Sequence, residues 1–137
     1  MLRPLALALG LLPAAGFAQE APVLSVELNG VETVDSACRL TFLVENGMGT
    51  DLTQLALETV ILTPGGIVER LTLFDFRDLP AGRPRVRQFD LAGLTCDGIG
   101  KVLINATTAC TGEGADPATC TAALALTSRA AGVDLLG

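Results

Sequence analysis

Four cysteines, Cys38, Cys96, Cys110 and Cys120, are the side chains of this 137-residue chain best equipped for chemistry. Thiols offer three roles: zinc ligation, thiol–disulfide exchange and structural disulfides. The intervals here are 58, 14 and 10 positions, so the Cys-x-x-Cys pair favoured by structural zinc sites and redox catalysts is missing. An even number of cysteines without that pair points to structural disulfides. The chain has no histidine, which excludes Ser-His-Asp and Cys-His nucleophiles and histidine-based metal sites. It also lacks Trp and Tyr, the side chains that most often anchor binding hot spots or stack on sugars. Fifteen acidic residues leave a carboxylate-dependent hydrolase as the one enzymatic alternative. No catalytic, cofactor-binding or metal-binding residue is assigned, and no cofactor is expected.

Two charged clusters remain. In Arg83-Pro84-Arg85-Val86-Arg87, a strand conformation would place positions 83, 85 and 87 on one face. Such a row of guanidiniums suits a carboxylate, a phosphate or an acidic partner. The competing reading is a solvated edge strand, on which charge and proline discourage sheet-to-sheet aggregation, with Asp75, Arg77 and Asp78 as neutralising neighbours. Glu113 and Asp116, with Gly112 and Gly114, form an acidic loop that lacks the regular spacing of a calcium loop and reads as a hairpin connection. Asn105-Ala106-Thr107 matches a glycosylation acceptor but falls inside an expected strand.

What positions these residues begins at the amino terminus. Arg3 precedes the apolar run Leu5–Ala15, and Gly16-Phe17-Ala18 puts small residues where a signal peptidase reads. Residues 1–18 are thus expected to be a cleaved secretory signal, cut between Ala18 and Gln19, leaving residues 19–137 as one domain. The run is about half the ~20 residues a membrane helix needs. One arginine ahead of it fits a general secretory route, not a twin-arginine one. Losing Arg3 takes the net charge from −6 to −7, which disfavours nucleic acid and anionic lipid as partners. Eight Arg against one Lys, with abundant Ala, Leu and Gly, suggests a GC-rich bacterial genome and hence a periplasmic or secreted location.

Beyond residue 19, short apolar runs alternate with turn signals. Leu24/Val26/Leu28 and Cys38/Leu40/Phe42/Val44 follow a period of two and end at Asn29-Gly30 and Asn46-Gly47. Leu55–Leu62 suits a central strand, and Ile67–Phe76 follows, with a change of apolar parity between Leu73 and Phe74 that suggests a bulge or a residue pair facing both ways. Arg85–Leu91 and Ile99–Ala106 complete six strands. Asp116-Pro117 opens a helical turn to Cys120, leading into a seventh strand; a longer helix over 117–131 is the alternative. The expected fold is an all-β antiparallel sandwich of about seven strands with two disulfides. If directions alternate, Cys38 and Cys96 lie at one end of the domain and Cys110 and Cys120 at the other. That leaves Cys38–Cys96 and Cys110–Cys120 as the pairing, because Cys96–Cys110 would span a whole strand of about 25–30 Å.

Leu40-Thr41-Phe42-Leu43-Val44-Glu45-Asn46, Leu55–Leu62, Gly66-Ile67-Val68 and Leu79-Pro80-Ala81-Gly82 resemble bacterial immunoglobulin-like envelope domains over about half the mature chain. The whole chain, including Phe74–Pro80 and Leu94–Gly100, is similar to a group of small bacterial exported proteins characterised mainly by their signal sequence. The first resemblance implies an immunoglobulin-like sandwich, the second only the location. The expectation is a non-catalytic periplasmic binding or accessory module. Its partner would be an envelope protein or a small anionic ligand, met at Arg83, Arg85 and Arg87. The alternative is a structural or chaperone-like subunit acting by strand addition.

Overall fold

Alternating apolar side chains become eight strands and one helix in the computed structural model, which describes Met1, residues 9–16 and residues 21–137. Half of the expected leader (residues 2–8, 17 and 18) and its Ala18/Gln19 junction lie outside the described residues. The elements are β1 (Val23–Val34), β2 (Ala37–Gly47), β3 (Leu52–Leu62), β4 (Val68–Leu79), β5 (Arg85–Ala92), β6 (Lys101–Gly112), α1 (Pro117–Ala123), β7 (Leu124–Ser128) and β8 (Asp134–Leu136). They form two four-stranded sheets, β5-β2-β1-β7 and β4-β3-β6-β8, packed as a sandwich. Among the described residues no helix is long and apolar enough to cross a membrane.

The period-two runs bury the side chains they predict. Leu24, Val26 and Leu28 of β1, and Leu40, Phe42 and Val44 of β2, meet Leu55, Leu57 and Ile61 of β3 and Phe74 and Phe76 of β4 in one core. Burying each of these is worth about 1.5–3 kcal/mol. Phe42 stands edge-on to Phe74, Phe76 and Phe89, which fills the side of the sandwich between β4 and β5. The Asn46-Gly47 signal has a structural reason. The buried Asn46 amide donates to the carbonyls of Thr50 and Leu79 and accepts from the Met48 N–H, tying the end of β2 to β4.

Strand direction alternates along the chain, and the expected disulfides are present. Cys38–Cys96 has its Cα atoms 5.0 Å apart and Cys110–Cys120 6.5 Å apart. The first ties β2 to the 3-10 turn Cys96–Gly98 ahead of β6. The second ties β6 to α1. Each therefore ties a strand to a connection that crosses between the two sheets. Helix α1 starts with a reciprocal cap: Asp116 accepts from the Thr119 N–H at 2.8 Å, and the Thr119 hydroxyl accepts from the Asp116 N–H at 2.9 Å. The helix runs past Cys120 to Ala123 before β7 begins, so the turn-then-strand reading of this segment holds with a slightly longer helix.

Three details depart from the sequence reading. The pairing is not wholly antiparallel, since β7 runs parallel to β1 and β8 parallel to β6. The short β8 is an eighth strand that Asp134-Leu135-Leu136 is too brief to announce by periodicity. Of the two readings of the parity change at Leu73 and Phe74, the pair facing both ways holds and the bulge does not: Leu57 pairs with Phe74 and Glu58 with Leu73 in unbroken register. The irregularity comes later, where Ala56 pairs with Asp75 and Leu55 with Arg77, leaving Phe76 extra and Arg77 at φ 60°. The parity changes because Leu73 points out of the sandwich.

Candidate functional site

The arginine row does not assemble as one face. Arg83 lies in the connection ahead of β5, exposed, while Arg85 and Arg87 occupy β5 at the register positions of Val44 and Phe42. Those positions face the other sheet. Arg87 uses this geometry: its Nε donates to the Phe76 carbonyl and its Nη2 to the Asp78 carbonyl, both at 2.7 Å. The guanidinium thus satisfies main-chain acceptors at the free edge of β4. Burial pulls Arg87 below the ordinary arginine range, with Arg77 pushing the same way and Asp78 opposing. Arg70 of β4 returns the contact, its Nη2 donating to the Ala92 carbonyl of β5 at 2.7 Å. Two arginines therefore clip the edges of the two sheets together; of the rest of the row, Arg83 is exposed and the half-buried Arg85 donates to the Pro84 carbonyl at 3.0 Å. Nothing in the spacing of Arg70 marks it for this role.

The two outer faces differ in chemistry. On the β5-β2-β1-β7 face, outward positions carry Ser25 and Glu27 of β1, Arg39, Thr41 and Glu45 of β2, Gln88 and Asp90 of β5, and Thr127 of β7. Several of these groups pair across strands. Arg39 grips Asp90 through two hydrogen bonds of 2.7 and 3.1 Å, Gln88 donates to the Thr41 hydroxyl, and Arg129 lies 3.5 Å from Glu27. The Arg39 hydrogen bond holds the Asp90 carboxyl below the usual aspartate range. Leu43 and Val86 are the one large apolar cross-strand pair on this face.

The β4-β3-β6-β8 face is apolar. One unbroken row crosses all four strands, with Leu136 beside Leu103, Leu103 beside Val60 and Val60 beside Leu71. Leu73, Leu62 and Val68 flank it at outward register positions. Val68, Leu71 and Leu73 are 63%, 60% and 57% exposed, and Ile67 in the adjoining turn is 70% exposed. Val60 is buried, yet it belongs to this open face and is shielded by its neighbours. The charged outward positions are Glu58, which accepts from Asn105 at 2.7 Å, and Asp75, Lys101 and Asp134 towards the margins. A contiguous apolar face of this kind is uncommon on a protein that works alone in water.

Two clefts complete the surface. One, of about 690 Å³, lies at the end of the sandwich among Pro22, Met48, Thr50, Glu113, Thr119 and Ala122. Glu113 of the acidic loop lines it, whereas Asp116 is engaged in the helix cap, whose hydrogen bonds from Thr119 keep its carboxyl below the usual range. Among the described residues no three His, Cys, Asp or Glu side chains stand together as a metal site. The second cleft, of about 450 Å³, opens where β8 stops pairing with β6, between Asn105, Thr107, Thr121, Leu124 and Leu126. No protein-family model matches the chain, no curated protein matches its sequence, and no solved structure matches its fold.

Proposed function

We propose that this is an exported, non-catalytic binding module of the bacterial envelope, and that it binds through the outer face of the β4-β3-β6-β8 sheet. The contrast between the two outer faces carries this reading: one is covered with paired polar groups, the other offers Val68, Leu71 and Leu73 to solvent. The disulfides fit an oxidising compartment outside the cytoplasm. Leu9, Leu11 and Leu12 of the expected leader are exposed, as suits a segment meant to be removed. A non-catalytic role draws support from the composition, which holds no histidine for a nucleophile system.

The test is a photo-crosslinking amino acid placed in cells at position 71 on one face or 88 on the other. Adducts at 71 and none at 88 are expected, and a bare 71 refutes the reading. Strand addition remains the second reading because β8 pairs only with Lys101–Leu103, leaving the next stretch of β6 beside the 450 Å³ groove. It predicts that Ala106→Pro abolishes partner capture in a folded protein.

A further inference from the structure

We infer that the partner covering the apolar face is a second copy of the same chain, packed sheet against sheet about a two-fold axis. This rests on the proposal that the face is the binding surface, and it adds the identity of what binds. The inference comes from where the face keeps its charges. Lys101 is one cross-strand row to one side of the Leu103–Val60 pair, on β6. Glu58 is one row to the other side, on β3. The two opposite charges therefore lie diagonally across the middle of the apolar row, with Asp134 of β8 in register beside Lys101.

A two-fold axis lying in the interface, through Leu103–Val60 and at right angles to that diagonal, sets each Lys101 over the Glu58 of the other copy. The same axis runs close to the row Leu136–Leu103–Val60–Leu71, so this row stacks on its own copy. With strands ~4.8 Å apart and ~6.8 Å between successive outward residues, the strands of the two copies cross at roughly 40° in magnitude. Aligned sheet packing sits near 30°, so the arrangement is an ordinary sandwich of sheets. An isologous contact needs this kind of self-complementarity. A lipid surface fits poorly, because the chain carries a net charge of −6 and Lys101 is the one cation at an outward strand position of this face.

Three strands with four outward rows each and β8 with two cover about 450 Å² per copy, or about 900 Å² in total, the size of a weak, transient contact. The dimer is therefore weak and dilution-sensitive.

Sedimentation equilibrium of the full chain, expressed with export and purified with its disulfides intact, tests this from about 1 to about 200 µM. The weight-average mass should rise towards twice the monomer. Leu71→Lys with Leu73→Lys should hold it at the monomer. Lys101→Glu and Glu58→Lys should each weaken association at least about tenfold, and the double charge swap should restore it. Circular dichroism and the melting temperature check that each variant is folded. A monomer throughout the range, or a double swap no better than the singles, overturns the inference. If position 71 crosslinks a different protein, or the chain cosediments with anionic vesicles, while its mass stays that of a monomer, the second-copy assignment is wrong and the binding face survives. If position 71 yields no adduct at all, both fall.

Discussion

The two outer faces of this sandwich rest on the same core and the same fold, yet only one is finished for water. On the β5-β2-β1-β7 face, Arg39 with Asp90 and Gln88 with Thr41 pair across strands. On the other, Leu136, Leu103, Val60 and Leu71 line up across strands, and no fold requirement explains them, because the core already holds Leu55, Leu57 and Ile61 from the same sheet. What the difference teaches is that an apolar residue in a strand speaks for the fold only when it faces inward. Facing outward, it speaks for what the protein meets.

The largest effect separates this account from one in which the apolar face merely reflects a poorly folded sheet. Replacing Cys38 and Cys96 by serine removes a 58-residue closure and should cost about 4 kcal/mol. Because one core is shared by both sheets, chemical denaturation followed by two probes should still show a single transition. Separate melting of the second sheet would break the comparison. Next comes Arg87→Met, which leaves the Phe76 and Asp78 carbonyls at the β4 edge without their donor and should cost about 1–3 kcal/mol. Arg83→Ala should leave the melting temperature unchanged, since its exposed side chain clips nothing.

Exchanging face chemistry sharpens the contrast. Leu71→Thr with Leu73→Thr should move stability by no more than about 0.5 kcal/mol while removing most binding of a hydrophobic dye. Changing Gln88→Thr on the polar face should alter neither. The smallest effect is electrostatic. The lowered Asp90 pKa means the Arg39 pair stabilises the fold above the ordinary aspartate range and loses that contribution as the pH falls through the folded value. The melting-temperature gap between the protein and Arg39→Ala should therefore be present at neutral pH and close below about pH 4.

Much of the fold was legible because it follows from local patterns. Strict alternation at Leu24–Leu28 and Leu40–Val44 marks strands, and alternating strand direction alone selects the Cys38–Cys96 and Cys110–Cys120 pairing. Asp116-Pro117 announces α1 through its cap chemistry. The site was far less legible. A period of two tells which residues share a face but not which face is inside, so Arg85 and Arg87 read as an external row although they point towards the opposite sheet. The parity change between Leu73 and Phe74 fits a bulge as well as a pair facing both ways, and only the register with Glu58 and Leu57 decides for the pair. The pairing of Leu103 with Val60 and Leu136 depends on register between strands distant in sequence, which no local signal records.

The central claim, that the apolar face is covered when the protein works, is tested most directly by hydroxyl-radical footprinting in the native compartment, with the dilute purified protein as reference. Strong protection of Val68, Leu71, Leu73 and Leu136 alongside unchanged oxidation of Leu43 and Val86 is the predicted result. Equal oxidation of both faces in the two settings would contradict it.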